Sequence, residues 1–140
     1  MLENRSIQHA TVIPVLAYPD VNHAADWLCA AFGFRVRLRI GTHRVQLHVG
    51  EGALTLRELR ENEAEGALGL GHSVTIRVED VDGHCKRAKD AGARITLEPV
   101  TQPYGERQYN VEDLAGHSWT FSQSVADVDP REWGGTPEEL

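Results

Sequence analysis

The sequence predicts an α+β fold in which one series of elements, with the order βαβββ, occurs twice. In each half an Asp opens an amphipathic helix and a Gly ends it: Asp20 and Gly33 in the first half, Asp80 and Gly92 in the second. In each half, three segments with alternating apolar and polar residues then follow. Two parallel series of elements in one chain indicate an internal duplication.

The first half begins with an apolar, strand-like run at residues 11–18. Ala24, Leu28, Ala31 and Phe32 then recur at helical spacing, which predicts a helix over Val21–Phe32. Two glycine-containing turns separate the strands that follow. These three predicted strands are Arg35–Ile40, Arg44–Val49 and residues 53–59.

The second half repeats this order. A strand is predicted at residues 73–79, and a helix follows from Asp80 with Cys85, Ala88 and Ala91 on its apolar face. The remaining predicted strands are residues 94–100, 108–112 and 118–124. The whole chain, 1–140, is predicted to be one domain with modules at 10–60 and 72–125, a linker at 61–71 and an acidic tail at 126–140.

Composition excludes several classes of protein. The chain has 140 residues, with 14 Lys and Arg against 21 Asp and Glu, a net charge of −7 that disfavours nucleic-acid binding. No segment approaches the roughly 18 apolar residues of a membrane span. Cys29 and Cys85 form neither a disulfide framework nor a metal-ligand spacing, so we expect buried thiols and a cytoplasmic location.

Four short segments resemble the vicinal-oxygen-chelate superfamily, which includes glyoxalase I, bleomycin resistance proteins and extradiol dioxygenases. They are residues 20–21 and 33–34 around the first helix, 78–82 at the second, and 111–119 before the final strand. The resemblance covers about residues 10–125. It implies two modules whose curled mixed sheets surround a concave pocket, and a homodimer, since related proteins commonly complete their pockets between subunits.

The resemblance also implies where a metal ion would bind. Metal enzymes of this superfamily hold one divalent ion with His or Glu on the first, fourth, fifth and eighth strands. The matching positions here are Ile13, Thr55 or Arg57, Ser73 and Thr120. None of these side chains is a good ligand at neutral pH, so we predict no metal and no cofactor.

Alternation along the strands predicts which side chains face the pocket, because successive side chains point to opposite faces of a sheet. The apolar set is expected beneath the helices and the polar set on the concave side, which places both Arg37 and Arg39 there. From these positions and the loop around Tyr104, the predicted ligand-binding residues are Arg37, Gln46, His48, Arg57, Arg77, Tyr104, Gln108, Asn110 and Thr120.

We therefore predict a metal-free protein that binds a small polar or anionic molecule. Alternatively, the arginines decorate a solvated or subunit-facing sheet edge. An enzyme, either a lyase, isomerase or dioxygenase, is the alternative function, with a displaced metal site at His48, Glu58 and His72 or with His48 or Glu58 as a base. A purely structural or regulatory dimer is a third possibility. The other histidines are expected to be solvated: His9, His23, His43, His84 and His117.

Overall fold

The computed structural model describes residues 2–138, and its elements follow the predicted order. The strands are β1 Val15–Tyr18, β2 Arg35–Ile40, β3 Arg44–Val49, β4 Gly52–Glu58, β5 Val74–Arg77, β6 Arg94–Thr101, β7 Glu106–Glu112 and β8 Ser118–Ser124. The helices are α1 Val21–Phe32 and α2 Val81–Asp90, with short 3-10 turns at Glu65–Ala67 and Pro130–Trp133. The prediction of two βαβββ series in an α+β fold is confirmed. No helix among residues 2–138 is long and apolar enough to cross a bilayer.

The chain forms two compact units, each with one four-stranded mixed sheet. The first unit comprises the chain up to Leu70 together with Leu114–His117, and the second comprises Gly71–Asp113 and the chain from Ser118 onward. The strand orders are β1-β4-β3-β2 and β5-β8-β7-β6. In both sheets the first pair is parallel and the others are antiparallel, so the duplication extends from element order to topology.

Both helices begin at the aspartates that the sequence indicates. Asp20 Oδ1 accepts a hydrogen bond from the backbone N–H of His23, and Asp80 Oδ1 accepts one from that of Gly83. Each bond satisfies a backbone donor that the first helical turn leaves without a partner. Helix α1 ends at Gly33, whose φ of 79° is the left-handed conformation that glycine adopts without steric cost.

The core of each unit lies between its helix and one face of its sheet. In the first unit, α1 packs against β3 and β4, and Leu28, Leu47 and Leu56 of these elements are buried. In the second unit, α2 buries its apolar face against β7 and β8, where the rings of Tyr109 and Phe121 stack with centroids 5.4 Å apart. The opposite face of each sheet carries polar side chains, and we call these the first and second polar faces.

A β-bulge in β2 changes the predicted orientation of one arginine. The pairing of β2 with β3 shifts register between Val36 and Leu38, which leaves Arg37 as an extra residue. An extra residue inverts the alternation that follows it. Arg39 therefore opposes the buried Val45 and lies on the helix-facing side of the sheet.

The contacts of the two arginines agree with these orientations. Arg39 donates to Asn22 Oδ1 at 2.6 Å and to Asp26 Oδ1 at 2.7 Å, both on α1. Arg37 instead donates to Gln46 Oε1 on the first polar face. The prediction that both arginines face the concave side is therefore wrong for Arg39, because the simple alternation does not include the bulge.

Candidate functional site

The two polar faces carry equivalent pairs of polar side chains on adjacent strands. Gln46 of β3 pairs with Thr55 of β4, and Asn110 of β7 pairs with Thr120 of β8. A bulge in the outer strand lies beside each of these amide residues. Each sheet therefore places a carboxamide next to a threonine hydroxyl at the equivalent position of the repeat.

The first polar face is covered by the N-terminal segment of the chain, residues 4–10. The Gln46 Nε2 group donates to the backbone carbonyl of Ser6 at 2.8 Å, and Arg37 Nη2 donates to that of Arg5 at 2.8 Å. Two of the predicted ligand-binding residues thus bind the chain's own backbone.

Gln8 also anchors this segment, because its own side chain donates hydrogen bonds to the sheet. Its Nε2 donates to Thr55 Oγ1 at 3.1 Å and to the carbonyl of Leu54 at 3.0 Å. The exposed fractions are 7% for Gln8, 4% for Gln46 and 7% for Thr55, so these polar groups are buried and mutually satisfied. Gln8 was not among the predicted site residues, because the segment around it has no apolar periodicity that would predict burial.

Arg57, another predicted ligand-binding residue, is held by an acid from the linker. Its two terminal nitrogens each donate to one carboxylate oxygen of Glu63, at 2.7 Å in both bonds. These bonds, together with the backbone N–H of Arg60, lower the pKa of Glu63 to about 2. The same contact raises the pKa of Arg57. The bidentate geometry makes this a specific pair, in which the carboxylate neutralises the guanidinium.

The second polar face carries a chain of hydrogen bonds between side chains. Tyr104 donates its hydroxyl to Gln108 Oε1 at 2.8 Å, and Gln108 Nε2 donates to Ser122 Oγ at 3.1 Å. Ser122 then donates to Glu106 Oε1 at 2.7 Å. Donation therefore runs in one direction along the face, from the tyrosine to a carboxylate.

A second pair and several charged side chains lie on the same face. Thr120 Oγ1 donates to Asn110 Oδ1 at 2.9 Å, and Arg77 pairs in register with Ser122. Hydrogen bonds from Ser124 and Ser122, with the charge of Arg77, lower the pKa of Glu106. The face thus carries Glu106, held in its ionised form near the Arg77 guanidinium, and also a pair between Arg94 and Glu112 at 3.2 Å.

The structure brings five of the predicted ligand-binding residues together on this face: Arg77, Tyr104, Gln108, Asn110 and Thr120. The other four, Arg37, Gln46, His48 and Arg57, belong to the first unit. Glu106 was missed because β7 was predicted to begin at 108, whereas the alternation extends back to it. Trp133 was assigned to the tail, and its ring lies 5.2 Å from that of Tyr104.

Comparisons with known proteins agree with this fold. The profile of the Glyoxalase/Bleomycin resistance protein/Dioxygenase superfamily matches residues 6–121. The chain belongs to this superfamily. Two solved structures illustrate the range of similarity within the fold.

The crystal structure of TioX from Micromonospora sp. ML1 is 38% identical, with a TM-score of 0.68, and the match covers 86% of this chain and 100% of that one. A glyoxalase/bleomycin resistance protein/dioxygenase family enzyme from Burkholderia phytofirmans PsJN is 16% identical, with a TM-score of 0.69 and coverage of 81% and 97%. At that identity the second likeness shows the fold alone.

Curated relatives match only part of the chain. An uncharacterized protein from Mycobacterium bovis is 35% identical over 60 residues, which are 43% of this chain and 40% of that protein. A Mycobacterium tuberculosis protein is also 35% identical over 60 residues, and the match covers 35% of its length. The matched segment thus spans less than half of these relatives.

The residues at the superfamily's metal positions do not fit a divalent ion. Register makes Thr55 the equivalent of Thr120, so the four positions carry Ile13, Thr55, Ser73 and Thr120. None supplies an imidazole or a carboxylate. The hydroxyl of Thr55 accepts a hydrogen bond from the side chain of Gln8, and the hydroxyl of Thr120 donates one to the side chain of Asn110.

The displaced metal site considered in the sequence analysis is not supported. His48 opposes Ala53 and so lies on the first polar face, whereas Glu58 follows Arg57 and lies on the opposite face of β4. Glu58 instead contacts Nδ1 of His43 at 3.2 Å. Within residues 2–138, no three His, Cys, Asp or Glu side chains are grouped so that they could hold a metal ion.

Two histidines that were expected to be solvated have core contacts. His117 is 2% exposed, and its Nε2 donates to the carbonyl of Ala17 at 2.7 Å while its ring packs 4.7 Å from that of Tyr18. His84 packs on Phe121 and shares a 2.6 Å hydrogen bond with the hydroxyl of Tyr109. Burial raises the pKa of Tyr109, so this phenol stays protonated. The expectation of solvent exposure is wrong for His117, because the turn that carries it folds back onto the first unit.

The first unit contains a cleft of about 560 Å³ away from all nine predicted ligand-binding residues. It lies at the start of α1, between that helix, the linker and the β7–β8 turn. The side chains that line it include Asp20, His23, Glu65, Leu68 and Leu114. This cleft therefore does not coincide with the polar face of the first unit.

Proposed function

We propose that this protein binds a small polar molecule on the second polar face without a metal ion. The observation that carries the proposal is the half-buried hydrogen-bond network from Tyr104 to Glu106, with Asn110 and Thr120 beside it. Ligand sites commonly combine a few fixed polar groups of this kind with a scaffold that holds them in place.

The charge of the faces supports a neutral or zwitterionic ligand rather than an anion. Of the five arginines from 35 to 57, Arg57 is paired with Glu63, Arg39 with Asp26, and Arg37 with the N-terminal segment. The second face carries Arg77 with the ionised Glu106, and Arg94 paired with Glu112. Cations and carboxylates that balance on one face suit a ligand with no large net charge.

We do not propose the metal-dependent chemistry known in the superfamily. The reason is the set of side chains at the equivalent strand positions, which are an isoleucine, two threonines and a serine. Simple binding, as in a sequestering protein, needs only the hydrogen-bonding face. The alternative, a metal-dependent enzyme, requires a tightly bound divalent ion, and metal analysis of the purified protein measures this.

We also propose that the protein is a cytoplasmic homodimer. Superfamily membership supports the dimer, and β1, an edge strand of the first sheet, exposes 47% of Val15. Cys29 and Cys85 are not joined in a disulfide, which suits a reducing compartment. Sedimentation velocity tests the dimer, and a single monomer boundary at micromolar concentration would contradict it.

Metal analysis and a thermal-shift screen test the proposed function. We expect no stoichiometric divalent ion and a rise in melting temperature with some members of a panel of amino acids, amides, sugars, carboxylates and phosphates. Thr120→Val should weaken the response, whereas Thr55→Val, the matched change in the first unit, should retain it. A tightly bound ion at one per chain, or a response that Thr120→Val leaves unchanged, would refute the proposal.

A further inference from the structure

We infer that the ligand of the second polar face is peptide-like, with an amide carbonyl bound by Asn110 and an amide N–H bound by Thr120. This inference rests on the proposed function of that face and specifies the chemistry of its ligand. Its basis is the internal duplication, because the equivalent pair in the first unit is occupied and shows what such a pair holds.

In the first unit, the carboxamide and threonine bind two groups of the chain's own N-terminal segment, which makes a turn between Asn4 and Ile7. Gln46 supplies an N–H donor to the backbone carbonyl of Ser6. Thr55 supplies a hydroxyl oxygen that accepts from the primary amide of Gln8. The pair therefore binds one backbone carbonyl and one side-chain amide N–H, supplied by two residues that lie two positions apart in the sequence.

In the second unit, the same pair keeps the same two functions. Because Thr120 donates to Asn110 Oδ1, the Nδ2 donor of Asn110 and the acceptor lone pairs of Thr120 are directed away from that bond. If the Asn110 amide is turned over, the pair still presents one donor and one acceptor, now with the roles exchanged. Both arrangements complement an amide.

The two pairs differ in what covers them. Gln46 and Thr55 are buried at 4% and 7% exposure beneath the N-terminal segment, whereas Asn110 and Thr120 are half-buried. A partly desolvated pair strengthens a hydrogen bond to a ligand and still leaves the ligand access. The second pair is thus the accessible counterpart of a site that the first unit fills by itself.

Other ligand groups match the pair less well. A carboxylate or phosphate offers only acceptors and an ammonium only donors, so each would leave one member of the pair without a partner. Leaving a desolvated polar group unpaired costs more than a typical hydrogen bond contributes. Amide groups supply both a donor and an acceptor.

The experiment uses the full chain labelled with nitrogen-15 and a short peptide taken from the protein itself. The probe is the acetylated and amidated peptide Arg-Ser-Ile-Gln, the sequence of residues 5–8, and the control peptide has Met in place of its Gln. We expect saturable shifts of the Asn110 side-chain amide and the Thr120 backbone signal. The control peptide should bind several-fold more weakly, because it lacks the side-chain amide N–H that Gln8 presents to Thr55 in the first unit.

Two variants of the second unit and one of the first unit make the test specific. Thr120→Val should weaken binding by roughly tenfold, the effect of one lost hydrogen bond. Asn110→Asp, which removes the N–H donor at constant size, should weaken it at least as much. Thr55→Val should leave the affinity for the probe unchanged, and the protein spectra report whether each variant is folded.

The outcomes separate this inference from the proposed function. If the peptide shifts Gln46 and Thr55 instead of Asn110, it replaces the N-terminal segment and the inference is wrong. If the peptide is silent while a sugar or carboxylate of the panel shifts Asn110, the amide inference fails and the proposed function stands. If no compound of either set shifts Asn110, both fail.

Discussion

Gln46 and Asn110 occupy the same place in two copies of one sheet, yet one is buried under the N-terminal segment and the other is half-exposed. Each pairs with a threonine on the next strand and lies beside a bulge in the outer strand. The duplication has therefore preserved the pairing of polar side chains while the chain before β1 covers one copy. The two units consequently differ in how accessible the same arrangement is.

Removal of the Gln8 side chain should destabilise the protein. Gln8→Ala leaves Thr55 Oγ1 and the carbonyl of Leu54 without their buried donor. We expect a loss of about 1–3 kcal/mol in the free energy of unfolding, measured by urea denaturation. His9→Ala, at the exposed neighbouring position, should change it by less than about 0.5 kcal/mol. Equal stability of the two variants would contradict the structural role of the segment.

The pair of Arg57 and Glu63 predicts a specific dependence of stability on pH. The folded-state pKa of Glu63 is about 2, below its ordinary value of 4.5, so the unfolded chain binds this proton more readily. The contribution of the pair is complete above about pH 4.5 and is lost as the pH falls toward 2. Urea midpoints of the wild-type protein and Glu63→Gln should therefore differ at pH 7 and converge at low pH.

Glu61→Gln is the control for that experiment, because Glu61 lies in the same linker and is exposed. It removes the same charge without removing the bidentate contact. We expect its urea midpoint to follow that of the wild-type protein across the range. A difference between Glu63→Gln and the wild type that stays constant from pH 7 to 2 would be inconsistent with the ion pair.

His117→Ala should cost more than a typical surface substitution. The change empties a buried volume beside Tyr18 and leaves the carbonyl of Ala17 without its donor. The expected loss is about 2–4 kcal/mol in the free energy of unfolding. His23→Ala, on the exposed side of α1, should remain within about 0.5 kcal/mol of the wild type. A small effect at His117 would show that the β7–β8 turn adds little to the first unit.

The paired threonines should respond differently to the same substitution. Thr55→Val removes an acceptor of the buried Gln8 amide and should lower stability by about 1 kcal/mol. Thr120→Val affects a half-buried pair that water reaches, so we expect a loss below about 0.5 kcal/mol. Thermal or urea unfolding of the two variants measures the difference. The opposite ranking would mean that the second face is the more buried one.

The elements of the fold were largely predictable from the sequence. Helix α1 and strands β2, β3 and β8 lie where alternation, helical spacing and the capping residues predict them. Strands β1 and β5 are shorter than predicted, because only Val15–Tyr18 and Val74–Arg77 pair with their parallel neighbours. Local patterns specify the type of an element well, whereas its ends depend on the partner strand.

The candidate site was predictable only in part. Alternation correctly grouped Gln108, Asn110 and Thr120, since they lie on adjacent antiparallel strands in regular register. It failed for Arg39, because a single extra residue in β2 inverts every side chain that follows. A bulge of this kind has no signal in the alternating pattern of residues.

The duplicated α+β architecture and the absence of metal-binding side chains at the superfamily's positions follow from residue order and residue chemistry, which are local properties of the chain. Which polar face stays accessible does not. That depends on Gln8 meeting Thr55, a contact between residues far apart in sequence whose hydrogen bonds form only once the sheet exists. Long-range burial of polar groups requires a partner with the right geometry, and only the folded chain supplies it.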